Sequence, residues 1–163
     1  MEKPKVYLET TVISYLTAWR SPQLMMAAHQ EATRIWWDEE RHHFDIFVSE
    51  AVIQEAALGD EDAARRRMEA MEGLPQLNIS DESLKLANLL VQKMAMPETA
   101  RMDALHIAIA TVNGMDFLLT WNCRHIANAT LRGLIASTCK SVGYEIPVIC
   151  TPIELIEDQN NER

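Results

Sequence analysis

Three acids and one amide occupy positions where a side chain can do chemistry. Glu9 directly follows the short apolar run Lys5-Val6-Tyr7-Leu8, and Glu55 lies within the helical segment after Phe44 to Val48. Asp103 opens the segment D-A-L-H-I-A-I-A, and Asn122 follows F-L-L-T with one residue between. If the apolar runs are parallel strands, these positions converge, because ligands of an open parallel sheet bind beyond the carboxyl ends of its strands. No Lys or Arg directly adjoins Glu9, Glu55 or Asp103 in sequence to neutralise them. Carboxylates gathered that way repel one another and their pKa values rise. A hard divalent cation, Mg²⁺ or Mn²⁺, relieves that repulsion. It can also acidify a bound water and neutralise charge developing on a phosphodiester.

Each position has an ordinary structural alternative. An acid between a strand and a helix serves as a cap, which applies to Glu9. Asp103 stands where a helix N-cap is expected, and Glu50 competes with Glu55 for the same role. His106, spaced among Leu105, Ile107 and Ala108, reads as a core histidine. The hydroxyls of Thr10, Thr11 and Thr120 are placed to support the acids, and Arg124 and His125 to contact a phosphate. The run Arg65-Arg66-Arg67 reads as a solvated helix face.

The elements that must position these side chains alternate along the chain. Strand-like Lys5–Leu8 feeds a helix capped by Thr10 or Thr11, and Ser21-Pro22 starts a longer helix ending near Arg41. Phe44–Val48 alternates as a strand, and Ser49 caps a helix that Gly59 ends. A charged helix opened by Asp60 or Asp62 closes at Gly73 and Pro75, before the strand-like Leu77–Ile79. Ser80-Asp81 begins the next helix, residues 95–102 read as a loop, and a helix from Asp103 to Asn113 stops at Gly114. Phe117–Thr120 is a strand, followed by a helix around residues 129–142, the strand Val148–Cys150 and a short helix begun by Pro152. Parallel neighbours need crossover helices. The order therefore predicts a three-layer α/β/α sandwich with a mainly parallel central sheet of four to five short strands, in one domain over residues 1–157. Residues 158–163 read as a disordered tail.

The bulk numbers agree with one globular domain. The 163 residues are 48% hydrophobic and 24% charged, enough for one core. No segment approaches the ~18 apolar residues that cross a bilayer, and the N-terminus lacks the pattern of a secretory signal, so a cytoplasmic protein is expected. Cys123, Cys139 and Cys150 show no C-x-x-C spacing and read as buried thiols, neither a disulfide framework nor a zinc site. The net charge of −9 argues against a surface that attracts nucleic acid everywhere. It leaves room for a local basic patch, and for acids clustered around a cation. Trp36-Trp37 and the Met-rich helices read as apolar surface beyond the needs of one core.

In sequence order, Y-L-E-T-T-V-I-S, V-S-E-A-V-I-Q-E-A, R-M-D-A-L-H-I-A-I-A and F-L-L-T-W-N-C-R-H-I-A-N resemble the PIN-domain family, in particular its VapC-type toxin ribonucleases. The resemblance runs from about Val6 to Pro152. It implies a Mg²⁺- or Mn²⁺-dependent endoribonuclease, the toxin of a toxin–antitoxin pair, with RNA as substrate, a cognate antitoxin as partner and a homodimeric state. Carried over by position, the catalytic set is Glu9, Glu55, Asp103 and Asn122, with Glu9, Asp103 and Asn122 holding the metal. The family usually has Asp at the first position; Glu9 is longer by one carbon–carbon bond, ~1.5 Å. Asn122 brings an oxygen without a charge. The other reading is a PIN-like module that binds RNA or protein and has lost catalysis.

Overall fold

The computed structural model describes residues 2–157, so the expectation of a disordered tail over 158–163 lies outside the described residues. The first strand, β1 (Lys5–Leu8), leads through Glu9 into α1 (Thr10–Thr17). Helix α2 (Leu24–Ile35) runs on as a π-helical turn, Trp36–Glu40, and a 3₁₀ turn, Arg41–His43. Strand β2 (Asp45–Ser49), helices α3 (Glu50–Ala56) and α4 (Glu61–Ala70) and the two-residue strand β3 (Gln76–Leu77) follow. Then come α5 (Asp81–Lys93), α6 (Arg101–Val112), β4 (Phe117–Leu119), α7 (Ala129–Ser141) and β5 (Val148–Cys150).

All five strands are parallel, in the order β3-β2-β1-β4-β5. Successive strands step outward in one direction from β1 to β3 and in the other from β4 to β5. The order therefore reverses between β1 and β4, and a crevice opens there at the carboxyl edge. Leu8 lies opposite Leu119 in the register, which puts the residues after each strand, Glu9 and Thr120, side by side. Val6, Tyr7 and Leu8 point to alternate faces and are all fully buried, so both faces of the sheet are covered, as a parallel sheet requires.

Helix α6 is buried continuously from Ala104 to Thr111 and packs against α5. It begins two residues before the expected Asp103, because the 3₁₀ turn Glu98–Ala100 feeds directly into it. Asp103 is thus its third residue and does not cap it. Glu9, rather than a threonine, is the N-cap of α1 and accepts the Thr11 N–H. Trp36 and Glu40, four residues apart in the π turn after α2, are both buried. Trp36 is fully buried and so belongs to the core instead of adding surface. Arg65 keeps to the solvated face, pairing with Asp62 on its own helix, but the other two arginines do more. Arg66 donates to the Thr17 carbonyl, and Arg67 to those of Ala56 and Leu58, tying α4 to the ends of α1 and α3.

Two of the three cysteines are buried as expected, while Cys123 is exposed. Burial pushes the Cys139 thiol up, and the Cys150 thiol up to about 12. The thiolate is the reactive form, and a raised pKa makes it scarce at pH 8. Brief iodoacetamide treatment of the native protein at that pH should therefore label Cys123 alone, read by peptide mass spectrometry. Equal labelling of Cys150 would contradict its burial.

Candidate functional site

The site is built where β1 and β4 end. The Glu9 N–H still bonds the Leu119 carbonyl at 3.0 Å, holding the residue at the sheet edge before α1 begins. Its side chain is 3% exposed, so its oxygens must find donors inside the protein. Oε2 accepts the Thr11 N–H at 3.0 Å, and Oε1 accepts the hydroxyls of Thr11 at 2.5 Å and Thr120 at 2.6 Å. Each hydroxyl in turn accepts a backbone N–H, Thr11 from Trp121 and Thr120 from Asn122, both at 2.9 Å. The loop after β4 is therefore fastened to the start of α1 through the Glu9 carboxylate. Trp121 anchors the same loop, donating from Nε1 to the Thr33 hydroxyl at 2.8 Å and stacking on His29 at 4.2 Å between ring centres.

Glu55 reaches the same edge from α3, whose first turn Ser49 caps by accepting the Val52 N–H at 3.2 Å. Its carboxylate accepts the Thr10 hydroxyl at 2.6 Å and is hydrogen-bonded to Nε2 of His106. His106 is fully buried and its Nδ1 lies 2.7 Å from the Tyr7 hydroxyl, which lies 2.7 Å from the Ser49 hydroxyl. Burial alone would push His106 down. The bond to Glu55 and the charges of Glu9, Glu55 and Asp103 outweigh it, so its pKa is raised. Burial would push Glu55 up, but the His106 bond and charge and the Thr10 hydroxyl prevail and hold it below the usual carboxylate range. Burial drives the Tyr7 hydroxyl far up, so it stays protonated.

Among the described residues, Glu9, Glu55 and His106 form a group in which one ligand atom from each lies within 4.8 Å of the others. Two carboxylates beside an imidazole are a donor set that fits a divalent cation; the oxygens suit Mg²⁺ or Mn²⁺. Asp103 is outside this group. Asp103 Oδ2 is 2.8 Å from Nδ1 of His125, each side chain about one-fifth exposed. The Asn122 side-chain oxygen accepts the N–H groups of Arg124 at 3.2 Å and His125 at 3.0 Å, which shapes the loop. Arg124 is exposed beside it. Glu50, the competitor of Glu55, accepts the Ile79 N–H at 3.1 Å and is spent on positioning that loop.

Sequence reasoning gave His106 only a core role, and the acids are less alone than their sequence neighbours imply. The signal was the spacing Asp103-x-x-His106, since residues three apart share a helix face. A second signal was Tyr7, a hydroxyl in the middle of a buried strand, which needs a partner.

No protein-family model matches the chain, and no curated protein does. Solved structures similar to the chain include two that share its fold. VapC20 of Mycobacterium tuberculosis, described as a sarcin–ricin loop cleaving toxin, is 11% identical with a TM-score of 0.58, over 87% of this chain and 99% of that one. VapBC2 of Rickettsia felis, bound to a DNA fragment from its promoter, is also 11% identical at 0.58, over 90% and 98%. The chain thus has the fold of VapC-type PIN toxins.

Proposed function

We propose that this protein is a divalent-metal-dependent endoribonuclease and the toxin of a toxin–antitoxin pair. The observation that carries the reading is the meeting of Glu9 and Glu55 within 4.8 Å at the carboxyl edge of the sheet, at the switch point of its strand order. The two solved structures support the biological setting, one being an RNA-cleaving toxin and the other a toxin–antitoxin complex on DNA.

Glu9 and Glu55 would hold the cation. When bound, Mg²⁺ or Mn²⁺ supplies a more acidic water and positive charge opposite the phosphodiester. Thr11 and Thr120 keep Glu9 in place, and Thr10 does the same for Glu55. Asp103 orients His125, whose other ring nitrogen is left to contact RNA, and exposed Arg124 adds positive charge for a phosphate. Trp19, Leu24, Met25 and Leu58 are all more than two-thirds exposed and supply apolar surface that an antitoxin would bury.

The test is cleavage of structured RNAs by wild type and by Asp103→Asn, with Mg²⁺ or Mn²⁺ and then with EDTA. Wild type should cleave with metal and stop with EDTA, and Asp103→Asn should be slower by roughly 10-fold or more. Equal activity in both proteins would remove Asp103 from the site. The second reading, a catalytically silent binding module, draws on Asn122, which is neutral and already holds two backbone N–H groups. Absence of cleavage with either metal would favour it.

A further inference from the structure

We infer that His106 is a hydrogen-bond donor that positions Glu55 and is not itself a metal ligand, with Tyr7 and Ser49 fixing it in that role. The consequence for metal binding rests on the nuclease reading; the donor assignment does not.

The direction of each bond follows from counting hydrogens. Ser49 Oγ already accepts the Val52 N–H, so its own O–H is free to donate, and the Tyr7 oxygen lies 2.7 Å away. With that oxygen accepting, the single phenolic hydrogen of Tyr7 goes to Nδ1 of His106, also at 2.7 Å. A neutral imidazole that accepts at Nδ1 carries its proton on Nε2, and Nε2 faces Glu55 Oε1. Every donor then meets an acceptor along Ser49, Tyr7, His106 and Glu55. In the reverse direction Nδ1 would donate to Tyr7 and Tyr7 to Ser49. The Ser49 hydrogen would have no acceptor in this set, and a bare Nε2 lone pair would face a carboxylate. Unpaired polar groups in a buried place are costly, and this arrangement creates two. Protonating Nδ1 as well leaves the Nε2 proton where it is.

The same count shows which oxygens remain for a cation. Glu55 Oε1 is taken by Thr10 and His106, and Glu9 Oε1 by Thr11 and Thr120. Acceptor capacity is left on Oε2 of Glu55 and, beside the Thr11 N–H, on Oε2 of Glu9. Tyr7 and His106 thus act as positioning residues that turn Glu55 so that Oε2 is the oxygen on offer.

Long-range ¹H–¹⁵N spectra of histidine-labelled full-length protein test the donor assignment, with the His106 signals identified by their loss in His106→Gln. Nε2 should carry the proton in EDTA-treated protein and keep it in saturating Mg²⁺. A metal-free tautomer protonated on Nδ1 alone, or loss of the Nε2 proton on adding Mg²⁺, overturns it. Calorimetric titration with Mn²⁺ reads the positioning role. His106→Gln, whose amide can still donate to Glu55, should bind within about threefold of wild type, and His106→Leu should bind about 10–100-fold more weakly. Tyr7→Phe should lose about 10-fold. Equal losses in His106→Gln and His106→Leu, both shown folded by thermal melts, would make His106 a ligand and overturn the inference. Wild type that takes up no Mn²⁺ and cleaves no RNA sinks the nuclease reading alone, since the metal-free spectrum still decides the donor.

Discussion

Glu9→Gln is expected to slow metal-dependent RNA cleavage by at least on the order of 10²-fold and to lower stability by about 1–3 kcal/mol. The substitution keeps the size of the side chain and removes its charge. The surroundings of Glu9 consist of donors only: two hydroxyls on Oε1 and one N–H on Oε2. The hydroxyls cannot reverse without cost, because each already accepts a backbone N–H from the loop after β4. A carboxylate satisfies all three donors, and an amide cannot. With its oxygen toward the threonines, its NH₂ faces the Thr11 N–H; turned around, it faces both hydroxyls. Cleavage rates in Mn²⁺ read the loss of a metal-holding charge, and urea unfolding reads the loss of satisfied bonds. Wild-type cleavage by Glu9→Gln would remove Glu9 from the reacting centre and leave it a loop fastener.

How far the site was legible follows from the separation between its partners. The strand after which Glu9 falls and the one before Asn122 could be read from short apolar runs. Their parallel pairing followed from the helices between them. Once the sheet was parallel, the approach of Glu9 and Glu55 to one edge was a consequence of topology. The partner of each acid was not legible. Thr120 is 111 residues from Glu9, and His106 is 51 residues from Glu55, whereas periodicity reports only neighbours within a turn or two. For the same reason the contact of Asp103, expected as a metal-holding acid with a cap as the alternative, was out of reach: its hydrogen-bond partner, His125, lies 22 residues on, beyond β4. Asn122 was placed correctly on the loop after β4. Its oxygen accepts the two N–H groups that follow, so the oxygen expected at the metal is used by its own turn.

Thr120→Val should destabilise the protein by about 2–4 kcal/mol although the two side chains are nearly the same size. Thr120 is fully buried, so no water replaces its hydroxyl. The hydroxyl donates to the Glu9 carboxylate and accepts the Asn122 N–H, and both partners lose a bond together. A hydrogen bond to a charged group contributes about 1.5–3 kcal/mol, and an orphaned buried N–H costs about 1–3 kcal/mol; these overlap because the loop can relax toward solvent at Asn122. Thr10→Val is the control. Its hydroxyl also donates to an acid, but Glu55 is about 31% exposed at its side chain, so water takes the vacated place and the cost should stay near 1 kcal/mol. Urea unfolding of the two variants should therefore separate them in that order. Equal midpoints would mean that Glu9 is solvated as Glu55 is, and the buried carboxylate on which the site depends would not exist in solution. If the order holds, the Thr120 variant should also lose cleavage, because a Glu9 freed from one of its two hydroxyls can turn its oxygens away from the crevice between β1 and β4.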